Sequence, residues 1–171
     1  MATSIPLSRS KVALVDDSDA ERIARHHWYL VTRGDDLWYA ETTIVRCHMT
    51  PRYVKVMMHR YVLAAPAGFH IDHVNRDGLD NRRINLRPAT PSQNQMNSRA
   101  RIHTSQFKGV YWHKQHSGKG AWAVRIIPPG ERPKRIGCFR DEIEAAHAYD
   151  RAARQHYGKF ARTNFPEGAE S

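Results

Sequence analysis

Ile71-Asp72-His73-Val74-Asn75-Arg76-Asp77-Gly78 is the stretch on which the reading of this chain turns. Phe69 to His73 predicts a short strand that ends on an acid and a histidine side by side. Residues 74–83 are rich in Asn, Asp, Gly and Arg and predict a loop. Ile84 to Ala89 predicts the returning strand. Thr90-Pro91-Ser92-Gln93 then predicts a helix start, with Thr90 as cap, Pro91 at the first helical position and Gln93 closing a capping box. Asn94 falls in the first turn of that helix. The order is strand, loop, strand, helix.

These groups, in this order, suit one-metal hydrolysis of a phosphodiester. That reaction needs an activated water, charge neutralisation at the phosphate and help for the leaving oxygen. Histidine titrates near neutrality and can serve as the base, which points to His73. A cation of the Mg²⁺ kind takes oxygen ligands, keeps several waters and binds few protein groups. Asp72 and Asn94 offer a carboxylate and an amide oxygen. Neighbouring residues on a strand point to opposite sides, so Asp72 and His73 can reach metal and water from different directions. Asn85 is expected to brace the loop through side-chain to backbone bonds.

Bulk properties agree with an anionic partner. The 171 residues carry 27 Lys and Arg against 17 Asp and Glu, a net charge of +10. A balance this basic predicts nucleic acid. The charge is uneven: residues 1–97 hold 13 basic and 10 acidic side chains, residues 98–171 hold 14 and 7. The second part is therefore the expected electrostatic anchor. Cys47 and Cys138 are far apart and form no Cys-x-x-Cys, so no structural zinc is expected. Two lone thiols, no signal-peptide pattern and no apolar run of membrane length predict a soluble cytoplasmic protein without a membrane partner.

Upstream of the loop, residues 5–15 predict a β-hairpin and Asp16 to His27 a short helix. Trp28 to Val31, Leu37 to Ile44 and Tyr53 to Met58 read as strands, the first two joined by a turn at Gly34-Asp35-Asp36. His59 to Ala65 reads as a brief helix ending at Pro66. His59 is expected to pack, and Arg60 is a candidate for a phosphate contact beside the catalytic group. Residues 98–106 read as a basic linker. Beyond it Gly109 to His113, Ala121 to Ile127 and Lys134 to Phe139 read as three strands. Asp141-Glu142-Ile143-Glu144 opens a helix that runs to about Tyr157 and stops at Gly158. Ile143, Ala146, Tyr149, Ala153 and Tyr157 fall on its buried face.

Asp72-His73, Asp77-Gly78, Leu79-Asp80-Asn81-Arg82-Arg83, Asn85-Leu86-Arg87, Ala89-Thr90 and Gln93-Asn94, with His59-Arg60 upstream, resemble the HNH motif of phage and intron-encoded homing endonucleases. The resemblance implies a ββα-metal core over about 68–97 within a nuclease domain of 1–97. It implies His73 as general base, Asp72 and Asn94 as ligands of one divalent cation (Mg²⁺, or Mn²⁺) and Asn85 as loop support. Many members open the motif with His-His or Asn-His; here Asp72 takes the first place and is a competent ligand.

Phe107-Lys108-Gly109-Val110-Tyr111-Trp112-His113-Lys114, Trp122-Ala123-Val124-Arg125, Ala145-Ala146-His147-Ala148-Tyr149-Asp150-Arg151-Ala152-Ala153 and Asn164-Phe165-Pro166 resemble the AP2/ERF DNA-binding domain. The resemblance covers 107–166, leaves 167–171 as a tail, and implies a three-stranded antiparallel sheet that enters the major groove with one helix behind it. Strand alternation then divides the faces. Val110, Trp112, Trp122, Val124, Ile126 and Ile136 are expected to face the helix. Tyr111, His113, Ala123, Arg125 and Arg135 are expected to face outward. Tyr111, His113, Arg125 and Arg135 become the candidate DNA contacts, with Lys108, Lys114, Lys119, Arg132 and Lys134 on phosphates.

Together these readings predict an α+β chain of two modules. The first is a metal-dependent endonuclease and the second anchors it on double-stranded DNA. No small-molecule cofactor is expected. A monomer is favoured over a dimer, and one site per chain fits a nickase. The alternative is a DNA-binding regulator on an inert nuclease scaffold.

Overall fold

The computed structural model describes residues 1–33, 37–45, 52–64, 68–98, 104–114 and 120–165. The expected turn at Gly34-Asp35-Asp36, the basic segment 99–103 and Lys119 lie outside the described residues. The fold is mixed α+β, built from small antiparallel sheets and short helices. It divides into two compact units, Met1–Pro91 and Ser92–Ser171.

The first unit opens with a hairpin of β1 (Ala2–Pro6) and β2 (Val12–Asp16). Ile5, Ala13 and Val15 alternate into the core, as the period of two requires. Helix α1 (Asp17–Ala24) follows at once. Asp16 stands at its N-cap position but makes no side-chain cap bond; its carboxylate accepts instead from the backbone N–H of Arg83 at 2.7 Å. Strands β3 (Tyr29–Thr32), β4 (Trp38–Val45) and β5 (Tyr53–Met57) form an antiparallel sheet with β4 at its centre. Helix α2 (Met58–Leu63) buries Met58 and Val62. It ends on Ala64 in the left-handed region, φ 47°.

Strands β6 (His70–His73) and β7 (Leu86–Ala89) then form an antiparallel ribbon, with a 3₁₀ turn over Arg83–Asn85 between loop and return strand. Ile71 and Leu86 join Ile23, Trp28, Met58 and Val62 in one core. The buried Trp28 indole donates to the Ile23 carbonyl at 2.8 Å, closing the end of α1. Helix α3 (Pro91–Met96) starts at Pro91 as expected.

A second tie is charged. Asp19, 4 % exposed, accepts from Arg22 at 2.8 Å and from Arg83 at 2.7 and 2.9 Å. Both arginines also donate to the Val62 carbonyl at 3.2 Å. Helix α1, helix α2 and the turn before β7 thus meet at one carboxylate, whose pKa the Arg83 hydrogen bond holds below the usual range.

In the second unit β8 (Val110–Lys114), β9 (Gly120–Ile126) and β10 (Lys134–Phe139) form an antiparallel sheet with β9 central, and α4 (Glu142–Tyr157) packs on it. Asp141 caps α4 by accepting from the Glu144 N–H at 2.8 Å. Buried Ala145, Ala146, Ala148, Ala152 and Ala153 let the helix lie close to the sheet. Gly109, at φ +76°, is required: a Cβ there would sit 2.0 Å from the Tyr149 ring. The end of the chain is tied back through Asp150, 1 % exposed, which accepts from the backbone N–H groups of Asn164 and Phe165 at 2.8 and 2.9 Å. Residues 104–106 belong to this packing. Thr104 accepts from the Trp112 N–H at 2.8 Å and Ser105 from the Phe107 N–H at 3.0 Å.

Three expectations about burial are corrected. Ile136 does not point to the helix. A β-bulge between Arg135 and Gly137 makes it the extra residue, 40 % exposed. Trp112 shares the helix-side face with Trp122 but is 45 % exposed, its ring against Gly120. Ile143 is 53 % exposed, although Ala145 in the same turn of α4 is fully buried. Ala123 faces outward yet is fully buried, a small residue on the central strand between its register partners Tyr111 and Cys138.

Candidate active site and nucleic-acid interface

Strand β6 ends with Asp72 5 % and His73 6 % exposed, on opposite faces of the ribbon. His73 lies on the Ile71 face, where it meets two other rings. Its centroid is 5.1 Å from that of His59, with the planes at 90°, and 5.9 Å from that of Tyr39. Tyr39 and His59 stand 5.9 Å apart. The expectation that His59 packs is met, while Tyr39 carries no motif and could not be picked out as a neighbour. Burial of these rings disfavours added charge. It lowers the pKa of His73, an effect that Asn81 and Asp72 oppose in that order. It lowers His59 to about 3, with His73 as the second cause. Burial, then the Asp72 charge, raises Tyr39.

On the other face Asp72 stands opposite Arg87. The guanidinium donates twice to one carboxylate oxygen, Oδ2, from Nε at 2.8 Å and Nη2 at 2.6 Å. The pair is sequestered, with side chains 6 % and 15 % exposed. Arg87 was not singled out from the sequence. The signal was there in the ribbon register, which sets an acid against a base.

The loop after His73 is a lattice of Asx bonds. Asn85 is its hub: Oδ1 accepts from the Asn75 N–H at 2.9 Å, and Nδ2 donates to the Asp80 carbonyl at 2.7 Å. The Asn85 carbonyl accepts from the Val74 N–H at 2.9 Å. Asn75 donates to Asp80 at 2.9 Å, and Arg82 grips both Asp80 oxygens at 2.7 and 2.6 Å. The Asp77 and Leu79 N–H groups close Asx turns onto Asn75 and Asp77 at 2.9 Å. Two bonds pin the loop to β2: Leu14 N–H to the Leu79 carbonyl at 2.8 Å, and Asn81 N–H to the Leu14 carbonyl at 2.7 Å. Gly78 lies against β4 so closely that a Cβ would come 2.3 Å from the Trp38 carbonyl. Backbone bonds on both sides thus hold the loop that leaves His73.

Arg60 donates to the Phe69 carbonyl at 2.8 Å, just ahead of β6. Asn94 sits half-buried on α3, at the start of the second unit. Asp72 is a buried carboxylate at a strand end, an oxygen donor of the type a hard cation takes, and it stands in the Arg87 ion pair. The described residues hold no cluster of three or more His, Cys, Asp or Glu placed to share a metal.

A family model described as HNH endonuclease matches residues 64–96, the segment that contains β6, the loop, β7 and α3. Protein 3.8 of Escherichia phage T7 is 31 % identical over 98 residues, covering 57 % of this chain and 77 % of that one. The chain carries a domain of the HNH endonuclease family. Uncharacterized HNH endonuclease L560 of Acanthamoeba polyphaga mimivirus is 26 % identical over 148 residues, 83 % of this chain and 68 % of that one. The HNH segment thus includes Asp72, His73, Asn85 and Asn94. A shorter likeness, 45 % over 51 residues, links the chain to Dehydration-responsive element-binding protein 2A of Oryza sativa subsp. indica, of which it spans 19 %.

The outward face of the second unit's sheet carries Tyr111, His113, Arg125 and Arg135. Arg125 lies over the Tyr111 ring at 5.9 Å, and the rings of Tyr111 and His113 are 6.5 Å apart. The bulge at Ile136 brings Arg135 opposite Arg125, so both guanidiniums share this face. Arg135 also donates to the exposed Cys138 thiol. The lysines are placed differently. Lys114 and Lys134 are exposed but lie on the helix side of their strands, and Lys134 pairs with Glu131. Lys108 turns to the backbone, donating to the Met96 and Ser98 carbonyls, the second at 2.9 Å. Arg132 is exposed in the turn before β10. No helix among the described residues is long and apolar enough to cross a membrane.

Proposed function

We propose that this chain is a metal-dependent DNA endonuclease of the homing type, with its HNH unit cutting and its C-terminal sheet holding the duplex. One observation carries the reading. Asp72 and His73 lie side by side, both buried, at the strand end inside the segment that matches the HNH family.

Asp72 and Asn94 are the residues proposed to hold one divalent cation, Mg²⁺ or Mn²⁺. When bound, it would lower the charge of the scissile phosphate and of the leaving oxygen. His73 takes the proton from water. Its burial among Tyr39 and His59 keeps the imidazole neutral, the state a base needs. Asn85 keeps the loop in shape, so that the His73 backbone does not drift. Arg60, tied to the Phe69 carbonyl, stands ready for a phosphate.

Tyr111, His113, Arg125 and Arg135 are proposed to meet base edges and backbone in the major groove, as the short likeness to plant DNA-binding proteins supports. Lys114, Lys119, Arg132 and Lys134 would add phosphate contacts. A single site per chain supports nicking by a monomer.

The test is to incubate supercoiled plasmid, and separately a structured RNA, with the protein and Mg²⁺ or EDTA. Metal-dependent cutting of DNA alone is expected. Tight DNA binding without cutting would favour a regulator on an inert HNH scaffold.

A further inference from the structure

Three elements bring one ring each to the same place. Strand β4 supplies Tyr39, helix α2 supplies His59 and strand β6 supplies His73. The centroids of Tyr39 and His59 are 5.9 Å apart, those of Tyr39 and His73 also 5.9 Å, and those of His59 and His73 5.1 Å. The planes meet at 57° to 90°, the tilted and edge-on arrangements that aromatic pairs prefer to a flat sandwich. The Tyr39 ring also meets the catalytic loop: a Cβ on Gly78 would lie 2.6 Å from its Cδ1 and Cε1 atoms. That loop leaves β6 directly from His73. The Tyr39 backbone is fixed in turn, as the register partner of Val31 and the neighbour of the buried Ala40. Tyr39 stands upstream of residues 64–96, the segment matched to the HNH family.

We infer that Tyr39 is a positioning residue, whose ring fixes the orientation of the His73 imidazole. The inference rests on the reading of His73 as the base. A base has to meet its proton within hydrogen-bond reach. A misplacement of about 1 Å can cost about 100-fold in rate. His73 is 6 % exposed, and close-packed surroundings resist the turning of a buried ring. Tyr39 supplies part of that surround from a strand outside the ββα segment. The role belongs to the ring and not to the hydroxyl, so phenylalanine can fill it and leucine cannot.

The experiment compares the wild type, Tyr39→Phe, Tyr39→Leu and His73→Gln as full chains. Cleavage of supercoiled plasmid with Mg²⁺ gives kcat and KM. ¹H–¹³C NMR of the His73 imidazole, without metal or DNA, reports its surroundings directly. Tyr39→Leu is expected to lower kcat about 100-fold with KM unchanged, and to shift the His73 ring signals. Tyr39→Phe is expected to keep the wild-type kcat and to leave those signals close to their wild-type positions. A wild-type kcat for Tyr39→Leu would overturn the inference. So would an equal fall for Tyr39→Phe, which would move the role to the hydroxyl, or a rise in KM that accounts for the whole loss. If Tyr39→Leu does not fold, NOE contacts between the rings of residues 39 and 73 decide. They are expected in the wild type and in Tyr39→Phe, and their absence from both would overturn the inference. His73→Gln separates the two levels: if it cuts at the wild-type rate, the reading of His73 as base fails first.

Discussion

The rings of His59 and His73 meet edge to face, 5.1 Å apart with their planes at 90°. Two imidazoles this close in a buried setting cannot both be charged cheaply. His59, held down to about 3 by burial, stays neutral throughout the range where unfolded histidine titrates near 6.5. Its folded-state pKa is depressed, so it contributes stability above pH 6.5. That contribution is lost as the pH falls from about 6.5 towards about 3. Each added proton taken up by the unfolded chain costs about 1.4 kcal/mol per pH unit. Urea melts at pH 7.5, 6 and 5 should show stability falling with pH. The slope should be shallower for His59→Gln, and an unchanged slope would remove His59 from the account.

Asn85 joins the backbone of the loop at both ends, accepting from Asn75 and donating to the Asp80 carbonyl. It is 6 % exposed, so Asn85→Ala leaves the Asn75 N–H and the buried Asp80 carbonyl without its side chain. The expected loss is about 2 kcal/mol, within the usual cost of stranding buried polar groups. Denaturant midpoints measure it. Cleavage should fall more than stability alone explains, since the loop leaves β6 directly from His73.

Asp19 binds two guanidiniums that are themselves 41 % and 51 % exposed. Solvent screens the arginine ends, so the cluster is worth less than a fully buried triad. Asp19→Ala should still cost about 2 kcal/mol through lost charge-assisted bonds. Arg83→Ala should cost less, because Arg22 remains. Thermal melts of the two variants test this order.

Arg125 and Arg135 face each other across β9 and β10 on the outward side of the sheet. Each neutralises about one phosphate if this face meets DNA. Arg125→Ala and Arg135→Ala should each weaken binding and reduce the slope of log affinity against log salt by about 1. Lys108→Ala should leave that slope unchanged, because its ammonium sits on the Met96 and Ser98 carbonyls. Gel-shift titrations at several salt concentrations decide it.

Much of this was legible in local rules. The Asp-x-x-Glu cap of α4, Pro91 at the start of α3 and the alternating strands of both units follow from neighbours in sequence. Asp72, His73 and Asn85 stand in the order of the motif they resemble, and all three are buried. Non-local register was not legible. The bulge at Ile136 reassigns an apolar residue to solvent, and no composition signal marks it. Trp112 and Ile143 are apolar yet exposed, which residue type and periodicity alone did not mark. Arg87 became important only once β6 and β7 set it against Asp72. The pinning of the loop to β2 through Leu14 joins residues more than sixty positions apart.

The central claim is that His73 is the base of a metal-dependent DNA nuclease. The most direct measurement is the initial rate of supercoiled plasmid cleavage with Mg²⁺, wild type against His73→Gln, after melts confirm that both are folded. Loss of a general base costs about 10²- to 10⁴-fold, so the variant should cut at least about a hundred times more slowly while still binding the plasmid. Cleavage by His73→Gln at the wild-type rate would contradict the account.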